Sequence, residues 1–186
     1  VAQYAAEADE HPEPHPQMRA ALAASGLTRL VVPAEYGGRS AEGDSLATAA
    51  AREALMGVSA HLDSLFCMQG IGSFALVKGG DEALRRQWLP KVASLDVLAA
   101  LALTEDDAGS DLRGMTTTIT QEGEELVVDG VKSWISNAGW AGFYCVVGRE
   151  GDGYSMVFVP ADAPGVSVTP TPTIMAPHLL GDVTFD

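Results

Sequence analysis

The chain changes character near residue 95, and this change constrains its fold more than any other feature. Residues 1–94 are rich in alanine and are interrupted by glycines, as successive helices are. After residue 95, short runs of β-branched and aromatic residues alternate with polar and glycine-rich turns. Helices followed by strands, without alternation, predict an α+β fold. We expect an N-terminal α-helical domain over residues 1–95 and an antiparallel β-barrel or sandwich domain over residues 96–186.

Four or five helices are expected in the first domain. Residues that can cap a helix N-terminus precede three segments, and glycines follow them. The predicted starts are Asp44, Ser59 and Asp81, and the predicted stops are Gly26, Gly37-Gly38 and Gly79-Gly80. Residues 61–80 are apolar almost all round, which predicts the central, most buried helix of the group. Gly70 and Gly72 within it indicate the close approach of a neighbouring element.

The segment of residues 44–58 predicts an ordinary amphipathic helix. Apolar residues recur along it at helical spacing, and charged residues lie between them. The expected apolar face consists of Leu46, Ala50, Ala54 and Leu55, while Arg52 and Glu53 can face water.

Seven short strands are predicted after residue 95 from their β-branched and aromatic residues. Their expected ranges are residues 97–104, 115–120, 126–128, 132–135, 143–147, 156–159 and 166–168. Residues 181–186 also have the texture of a strand. Asp129-Gly130 is a strong signal for a two-residue hairpin turn, and residues 121–125 are expected to break the preceding pair. The regular spacing predicts a compact antiparallel sheet or barrel.

Charge and cysteine content exclude several classes of function. The formal net charge is -14 and only 11 Lys and Arg residues are present, which argues against a nucleic-acid partner. Cys67 and Cys145 have no spacing typical of a metal site or a disulfide framework, so we expect no metal and two reduced thiols. No apolar run approaches the roughly 20 residues that cross a bilayer, and the first residues do not form a secretion signal. A cytoplasmic protein without membrane insertion is expected.

The first stretch that suggests chemistry is LALTEDDAGSD, residues 101–111, in which an apolar run passes into a loop of small residues. Such a loop can bring backbone NH groups and a hydroxyl against an anionic cofactor. A surface turn capped by Ser110 or Asp111 explains the same residues equally well. On its own, this stretch leaves both interpretations open.

The second stretch is DGVKSWISNAG, residues 129–139. On a strand, Trp134 and Ser136 share one face and Ile135 lies on the other. A planar ring beside a hydroxyl suits a flat heteroaromatic ligand. A lone tryptophan is more often a core residue than a cofactor wall, so the hypothesis depends on the two stretches occurring together.

Together, TEDDAGSD and DGVKSWIS resemble the acyl-CoA dehydrogenase pattern TEPxAGSD followed by NGxKxWIT or NGxKxWIS. VVPAEYGG, residues 31–38, is similar to the P-x-x-Y-G-G turn of that family. GGDEALRRQWLPKVAS, residues 79–94, is similar to its helix that contains the sequence LP. The order of helices and then strands also matches the family across the whole chain.

The resemblance implies an FAD enzyme. Such an enzyme removes an α proton and a β hydride from an acyl-CoA or acyl-carrier-protein thioester and leaves a trans 2,3-double bond. Electrons would then leave through electron-transfer flavoprotein or a similar acceptor. The full-length protein would be a homo-oligomer, and the resemblance does not specify the length or branching of the acyl chain.

By position, the resemblance places eight residues at the flavin. They are Leu101, Leu103, Thr104, Gly109, Ser110, Trp134, Ile135 and Ser136. Thr104 would hydrogen-bond the pyrimidine end of the ring, and Ser110 would lie near the pyrophosphate and the pantetheine arm of the substrate. Ser136 would donate to the reducible nitrogen of the central ring and stabilise the charge that develops there.

The sequence departs from the family pattern in the flavin-lining stretch and beyond it. Asp106 replaces the usual proline, which is expected to loosen the turn and to add a negative charge near the pyrophosphate. Leu101 replaces an aromatic residue that is frequent in the family. Residues 173–186 lack the Arg-Gly-Ser element of many relatives. The acyl substrate therefore cannot be copied from any one branch of the family.

No catalytic residue is assigned within the chain. The catalytic glutamate of the family lies in a C-terminal helical bundle that this sequence does not contain. Glu35, Glu105 and Asp107 are the carboxylates nearest the motifs, and each is expected to be solvated or to cap a turn rather than to act as a base. His178, a lone loop histidine, is given no role.

Two alternatives to the dehydrogenase remain. One is a flavin-dependent monooxygenase on the same scaffold, and the other is a natural half-length subunit that completes the flavin site of a partner without catalysing a reaction itself. In either case the isolated chain is expected to expose apolar surface. We predict that residues 1–186 alone retain FAD poorly and do not turn over.

Overall fold

The fold was derived from a computed structural model that describes residues 2–10, 13–171 and 179–186, so that His178 lies outside the described residues. Within these ranges five α-helices precede seven β-strands, which confirms the α+β class. The helices are α1 (Ala5–Glu10), α2 (Pro16–Ser25), α3 (Ser45–Met56), α4 (Ala60–Gly79) and α5 (Glu82–Ser94). The strands are β1 (Leu98–Ala102), β2 (Thr118–Glu122), β3 (Glu125–Ser136), β4 (Ala141–Glu150), β5 (Gly153–Pro160), β6 (Ser167–Pro170) and β7 (Leu180–Phe185).

The predicted helix starts are confirmed by their hydrogen bonds. Asp44, Ser59 and Asp81 each precede a helix, and each side chain accepts from the backbone amide three residues later, at 2.9, 3.2 and 2.8 Å. These bonds satisfy amides that have no partner inside the helix. Gly26 ends α2 with a φ of 64°, a conformation that glycine adopts without strain.

Helix α4 is the central helix, as its all-round apolar sequence predicts. It packs against β1 of the second domain as well as against α2, α3 and α5. A β-carbon on Gly72 would lie 2.6 Å from the backbone nitrogen of Ala100, and one on Gly70 would lie 3.1 Å from Val31 Cγ1. The two glycines therefore permit the close approach that the sequence indicates. None of the helices in the described ranges is long and apolar enough to cross a membrane.

Helix α3 buries a different face from the predicted one. Leu46, which was expected to lie on the buried face, has 83% of its surface exposed, and Ala50 and Ala54 are exposed as well. The contact with the core is made instead by Ala47, Ala51 and Leu55, which succeed one another at intervals of four residues. The two alanines bring the helix close to its neighbours, and Leu46 is then turned outward. Leu55 packs on the core and Arg52 and Glu53 are exposed as predicted, whereas the assignment of Leu46, Ala50 and Ala54 to the buried face is wrong.

The sheet is mainly antiparallel but open. Its strand order is β1-β4-β2-β3-β7-β6, with β5 paired to β4. The pairing of β1 with β4 is parallel, and so is the single contact between β2 and β4. β1 and β6, at the two ends of this order, do not pair among the described strands, so of the predicted alternatives the structure has an antiparallel sheet rather than a closed barrel. A parallel pair needs a long crossover, which the β2–β3 hairpin and its flanking loops supply between β1 and β4.

The hairpin predicted at Asp129-Gly130 is wrong. β3 runs through both residues as one strand of 12 residues, and the turn of the β2–β3 hairpin lies at Gly123-Glu124. Gly130 has a φ of 151°, and a β-carbon there would lie 2.5 Å from Oγ1 of Thr117. The glycine is therefore required for close packing inside the sheet rather than for a turn, and tertiary contact overrides the local turn signal.

Candidate functional site

The first motif forms a tight turn at the end of β1. The backbone NH of Glu105 donates to the carbonyl of Ala108 at 3.1 Å, and the NH of Ala108 donates to the carbonyl of Glu105 at the same distance. Asp106 and Asp107 form the exposed tip of this turn. With Asp106 at its tip, the turn therefore closes through two backbone hydrogen bonds.

Beyond this turn the chain is exposed at Gly109 and Ser110. A β-carbon on Gly109 would meet nothing within 4 Å, so there is open space beside this backbone. Asp111 accepts a hydrogen bond from the backbone NH of Arg113 at 3.0 Å, and its carboxylate also pairs with the Arg113 guanidinium, which lowers the pKa of Asp111. A capped surface turn and an open surface for a ligand thus coexist in this segment.

The second motif contains a β-bulge. Lys132 pairs with Val183 and Ile135 pairs with Gly181, so β3 has one more residue than β7 in this stretch. Trp134, at the bulge, adopts a φ of 60°, which is uncommon for a residue other than glycine, and 53% of its surface is exposed. Its backbone NH donates to Oδ1 of Asp182 at 3.2 Å. The bulge therefore directs the indole outward.

The two motifs lie against each other. The backbone NH of Ser133 donates to the carbonyl of Thr104 at 2.8 Å. Nζ of Lys132 donates to the carbonyl of Leu103 at 3.0 Å and to Oε1 of Glu105 at 2.8 Å. The end of β1 and the bulge of β3 are thus joined by three hydrogen bonds, although about 30 residues separate them in the sequence.

Glu105 is neither solvated nor a simple cap, and that expectation is corrected. Its side chain is only 5% exposed and pairs with Lys132, which is fully buried. Burial by itself would raise the pKa of the Glu105 carboxyl, but hydrogen bonds from Lys132, Thr117 and Thr116 outweigh it and lower the pKa from 4.5 to about 2. Burial lowers the pKa of Lys132, and the Glu105 carboxylate opposes that effect. A carboxyl that is ionised and fully hydrogen-bonded in this way is a poor candidate for a general base.

Seven of the eight residues predicted to line a flavin have surface that a ligand could reach. Gly109, Ser110 and Trp134 are exposed, and Leu101, Leu103, Thr104 and Ser136 are partly exposed. Ile135 differs, because its side chain is 2% exposed and packs in the core with β1, β4 and β7. Only the backbone of Ile135 can therefore meet a ligand. Trp134 is exposed and Ser136 is partly exposed on either side of the buried Ile135, which agrees with the predicted alternation.

An open cavity of about 960 Å³ adjoins this surface on the side of the helical domain. It lies between α3, α4 and the loop that precedes α3. Its apolar lining includes Val31, Ile71, Phe74, Val77 and Leu101. Leu101 belongs both to this lining and to the predicted flavin surface, so the two regions are continuous.

Polar side chains stand at the same cavity. Arg52 lines it and forms a two-pronged ion pair with the buried Asp63, at 3.0 and 2.8 Å. Cys67 also lines it, and burial raises the pKa of its thiol. Glu35 lines it too and is exposed, as is Asp107 on the turn after β1, in agreement with the solvated roles expected for them. We therefore assign none of these groups as a general base.

Sequence reasoning missed three residues that build the site. Lys132 stands between exposed Val131 and buried Ser133, where a strand pattern gives no sign of a buried ammonium. Asp182 receives the NH of Trp134, and it belongs to a distant strand. Asn137, with a φ of 62°, donates from its side-chain amide to the carbonyl of Ala99 at 3.0 Å and so anchors the end of β3 to β1. The positive φ of Asn137 is typical of asparagine, and the N-A-G sequence there was the one available signal.

Comparison with protein-family models gives matches over almost the whole chain. The model described as the N-terminal domain of acyl-CoA dehydrogenase matches residues 1–96. The model described as the middle domain of acyl-CoA dehydrogenase matches residues 100–186.

Relatives and solved structures agree with these matches. The probable acyl-CoA dehydrogenase FadE25 of Mycobacterium tuberculosis is 34% identical over 91% of this chain and 44% of its own length. Cyclohexane-1-carbonyl-CoA dehydrogenase of Geobacter metallireducens is 36% identical over 77% of this chain and 38% of its own length. The structure of an acyl-CoA dehydrogenase from Bacillus anthracis, complexed with FAD, is 29% identical and superimposes with a TM-score of 0.78 over 91% of this chain and 30% of that one. The chain thus spans less than half the length of these proteins.

Proposed function

The chain belongs to the acyl-CoA dehydrogenase family, and on that basis we propose that it forms one side of an FAD site in an enzyme that oxidises acyl thioesters. The observation that carries the proposal is the direct contact between the two motifs, in which Ser133 donates to Thr104 at 2.8 Å. This contact sets Thr104 beside the strand that bears Trp134 and Ser136. We propose that the Trp134 ring and the hydroxyls of Thr104 and Ser136 form one accessible surface.

The flavin-lining residues fit the chemistry of a flat, hydrogen-bonding ring. Trp134 offers an exposed indole face, and aromatic rings pack favourably against one another. Thr104 would hydrogen-bond the pyrimidine end, and Ser110 would lie near the pyrophosphate and the pantetheine arm. The hydroxyl of Ser136 would donate to the reducible nitrogen and hold charge there. FAD, when bound, supplies the acceptor for the hydride.

The cavity beside Leu101 is our candidate for the acyl group. Its apolar lining by Ile71, Phe74 and Val77 suits a hydrocarbon chain, and its continuity with the flavin-lining surface would leave the thioester end beside the ring. Replacing Phe74, whose side chain is 62% exposed, with aspartate should raise KM for acyl-CoA strongly while FAD binding stays unchanged.

The base that removes the α proton is proposed to lie outside residues 1–186. Glu105, which directly follows Thr104, is held ionised inside an ion pair, and the Asp182 carboxylate accepts from the backbone NH of Trp134. We accordingly propose that residues 1–186 alone retain FAD poorly and do not turn over. Purification of this segment, followed by gel filtration and flavin absorbance, checks the statement, and a yellow, active segment would contradict it.

The remaining parts of the proposal concern partners and location. We propose electron-transfer flavoprotein or a similar acceptor as the electron partner, a homo-oligomer as the state of the complete protein, and the cytoplasm as its location. The names of the relatives favour a dehydrogenase over a monooxygenase, because each of those compared is called a dehydrogenase. Either acyl-CoA or an acyl-carrier-protein thioester remains a candidate substrate.

The proposed function is tested with the protein encoded by the complete gene. Purified protein should carry FAD, and acyl-CoA should bleach the flavin band and reduce an artificial dye. A protein that takes up no flavin, even when FAD is added in excess during refolding, would contradict the flavin assignment. Flavin that is bound but bleached only by NAD(P)H, with oxygen consumed, would favour the monooxygenase instead.

A further inference from the structure

The proposed flavin site leaves its most deeply buried charged residues without a role. Lys132 and Glu105 have side chains that are 0% and 5% exposed, and neither is among the residues proposed to touch the ring. Two buried charges are costly to remove from water, and an apolar pair of similar size is often as stable. Their presence directly beneath the flavin-lining residues therefore calls for an explanation beyond folding.

Lys132 connects β3 to the end of β1. Its ammonium donates to the carbonyl of Leu103 at 3.0 Å and to the carboxylate of Glu105 at 2.8 Å. Both acceptors flank Thr104, the residue proposed to bind the pyrimidine end. The Lys132 side chain thus binds the backbone of the residue before Thr104 and the side chain of the residue after it.

Glu105 extends the connection to a third segment. Its Oε2 accepts from the backbone NH and from the hydroxyl of Thr116, each at 2.7 Å, and its Oε1 accepts from the backbone NH of Thr117 at 3.0 Å. Thr116 and Thr117 lead into β2, which follows the Gly109-Ser110 loop. The loop is therefore clamped at both ends by one carboxylate, because Glu105 precedes it and binds the residues that follow it.

The bulge in β3 follows from the same arrangement. Lys132 and Ser133 are consecutive and both buried, which a regular strand does not allow when only one of its faces is buried. The extra residue at the bulge permits this, and Trp134 then turns outward at a φ of 60°. The inward direction of Lys132 and the outward direction of the indole are thus two consequences of one local geometry.

We propose that Lys132 and Glu105 act as a positioning pair, which holds the Thr104 segment, the Gly109-Ser110 loop and the Trp134 wall at the separation that one flavin ring requires. The inference rests on the proposed function, because it assigns a role within that same site. Neither residue touches the flavin or the substrate. Their effect is exerted through the backbone of Leu103 and Thr104 and through the bulge at Trp134.

The test separates positioning from folding. Lys132→Met removes the ammonium, Glu105→Gln keeps an acceptor but removes the charge, and the double variant removes both charges together. Arg86→Met is the matched control, because it breaks an exposed ion pair with Glu82 on α5, away from the motifs. Each change is made in the complete protein, and the FAD dissociation constant, the visible circular dichroism of bound flavin and the thermal midpoint are measured.

We expect Lys132→Met to weaken FAD binding by at least about tenfold, with a smaller loss for Glu105→Gln, since an amide oxygen still accepts from Thr116 and Thr117. The double variant should recover the thermal midpoint, because no unpaired charge is left buried, while its FAD binding and flavin dichroism stay impaired. Arg86→Met should match wild type in all three measurements.

Two results would overturn the positioning role. One is a double variant that regains both the midpoint and wild-type flavin binding, which would make the pair a matter of folding alone. The other is unchanged FAD binding and dichroism in the single variants. A wild-type protein that binds no FAD would instead contradict the proposed function, so the two failures are distinguishable.

Discussion

Each of the two motifs contributes to a buried layer and to an exposed rim, and the two are built differently. The buried layer consists of Glu105 and Lys132, which have almost no contact with solvent. Their hydrogen bonds join β3 to the end of β1 and to the residues that lead into β2. The rim, Ser110 and Trp134, is exposed, and the backbone NH of Trp134 donates to Asp182. Charged residues therefore form the interior of this site, and an aromatic ring and a hydroxyl form its surface.

This difference predicts how substitutions divide. Breaking the ion pair of the buried layer alters both stability and ligand binding, whereas a change in the rim alters ligand binding with little effect on stability. If substitutions in the buried layer and in the rim had the same effects, the same residues would form both the binding surface and its structural support. The following predictions probe that division.

The largest expected effect is on stability in Lys132→Met. The substitution leaves the Glu105 carboxylate buried without its cation, and removing one partner of a buried pair costs about 3–5 kcal/mol. Urea denaturation, followed by circular dichroism, measures the free energy of unfolding. A loss below about 1 kcal/mol, the level of an exposed pair, would mean that solvent reaches the site.

The pH dependence of stability should carry the signature of Glu105. Its pKa is lowered from 4.5 to about 2 in the folded protein, so the stabilisation is present above pH 4.5 and is lost as the pH falls from there toward 2. A shift of this size corresponds to about 3 kcal/mol. The free energy of unfolding of wild type minus that of Glu105→Gln should shrink over this interval. A difference that is constant with pH would contradict the ionised pair.

Gly130 should be less replaceable than the glycine of the hairpin turn. Gly130→Ala places a β-carbon 2.5 Å from Oγ1 of Thr117 at a φ of 151°, so we expect a loss of roughly 2–3 kcal/mol. Gly123→Ala has a φ of 67° but meets nothing within 4 Å, so its loss should be only about 1 kcal/mol. Denaturant midpoints of the two variants test the order, and equal losses would mean that the strand yields at Gly130.

The smallest effect on stability is expected at the rim. Trp134→Ala should change the free energy of unfolding by no more than about 0.5 kcal/mol, as other exposed positions do. It should nevertheless weaken FAD binding about tenfold, the loss expected for one aromatic contact. Trp140→Ala is the control, because Trp140 is 44% exposed but lies outside the proposed wall. Flavin titration compares the two variants. Equal FAD affinities of Trp134→Ala and Trp140→Ala would mean that Trp134 does not contact the flavin.

The parts of the fold that depend on neighbouring residues in the sequence were predictable. The caps at Asp44, Ser59 and Asp81 act within three residues, and the burial of α4 follows from its composition. The face of α3 and the location of the hairpin were not, because each depends on a partner distant in sequence. Gly130 packs closely against Thr117 inside the sheet, although Asp129-Gly130 is a strong local signal for a hairpin turn.

The site divides in the same way. The resemblance predicted the rim residues, and Trp134 and Ser136 lie on the accessible side of β3 as expected. The buried pair of Glu105 and Lys132 was not predicted, because a lysine in a strand and a glutamate before a turn are both expected to be solvated when each is considered alone. Their pairing spans 27 residues and becomes visible only when the strands are assembled. The side chain of Ile135 packs in the core, so a contact of Ile135 with the flavin stays a prediction for its backbone alone.

A structure of the complete protein loaded with FAD tests the central claim most directly. We predict that the ring lies in van der Waals contact with the Trp134 indole, within hydrogen-bonding distance of Thr104 and Ser136, and above an intact pair of Lys132 and Glu105. A flavin bound elsewhere on the protein, with these residues still facing solvent, would contradict the account.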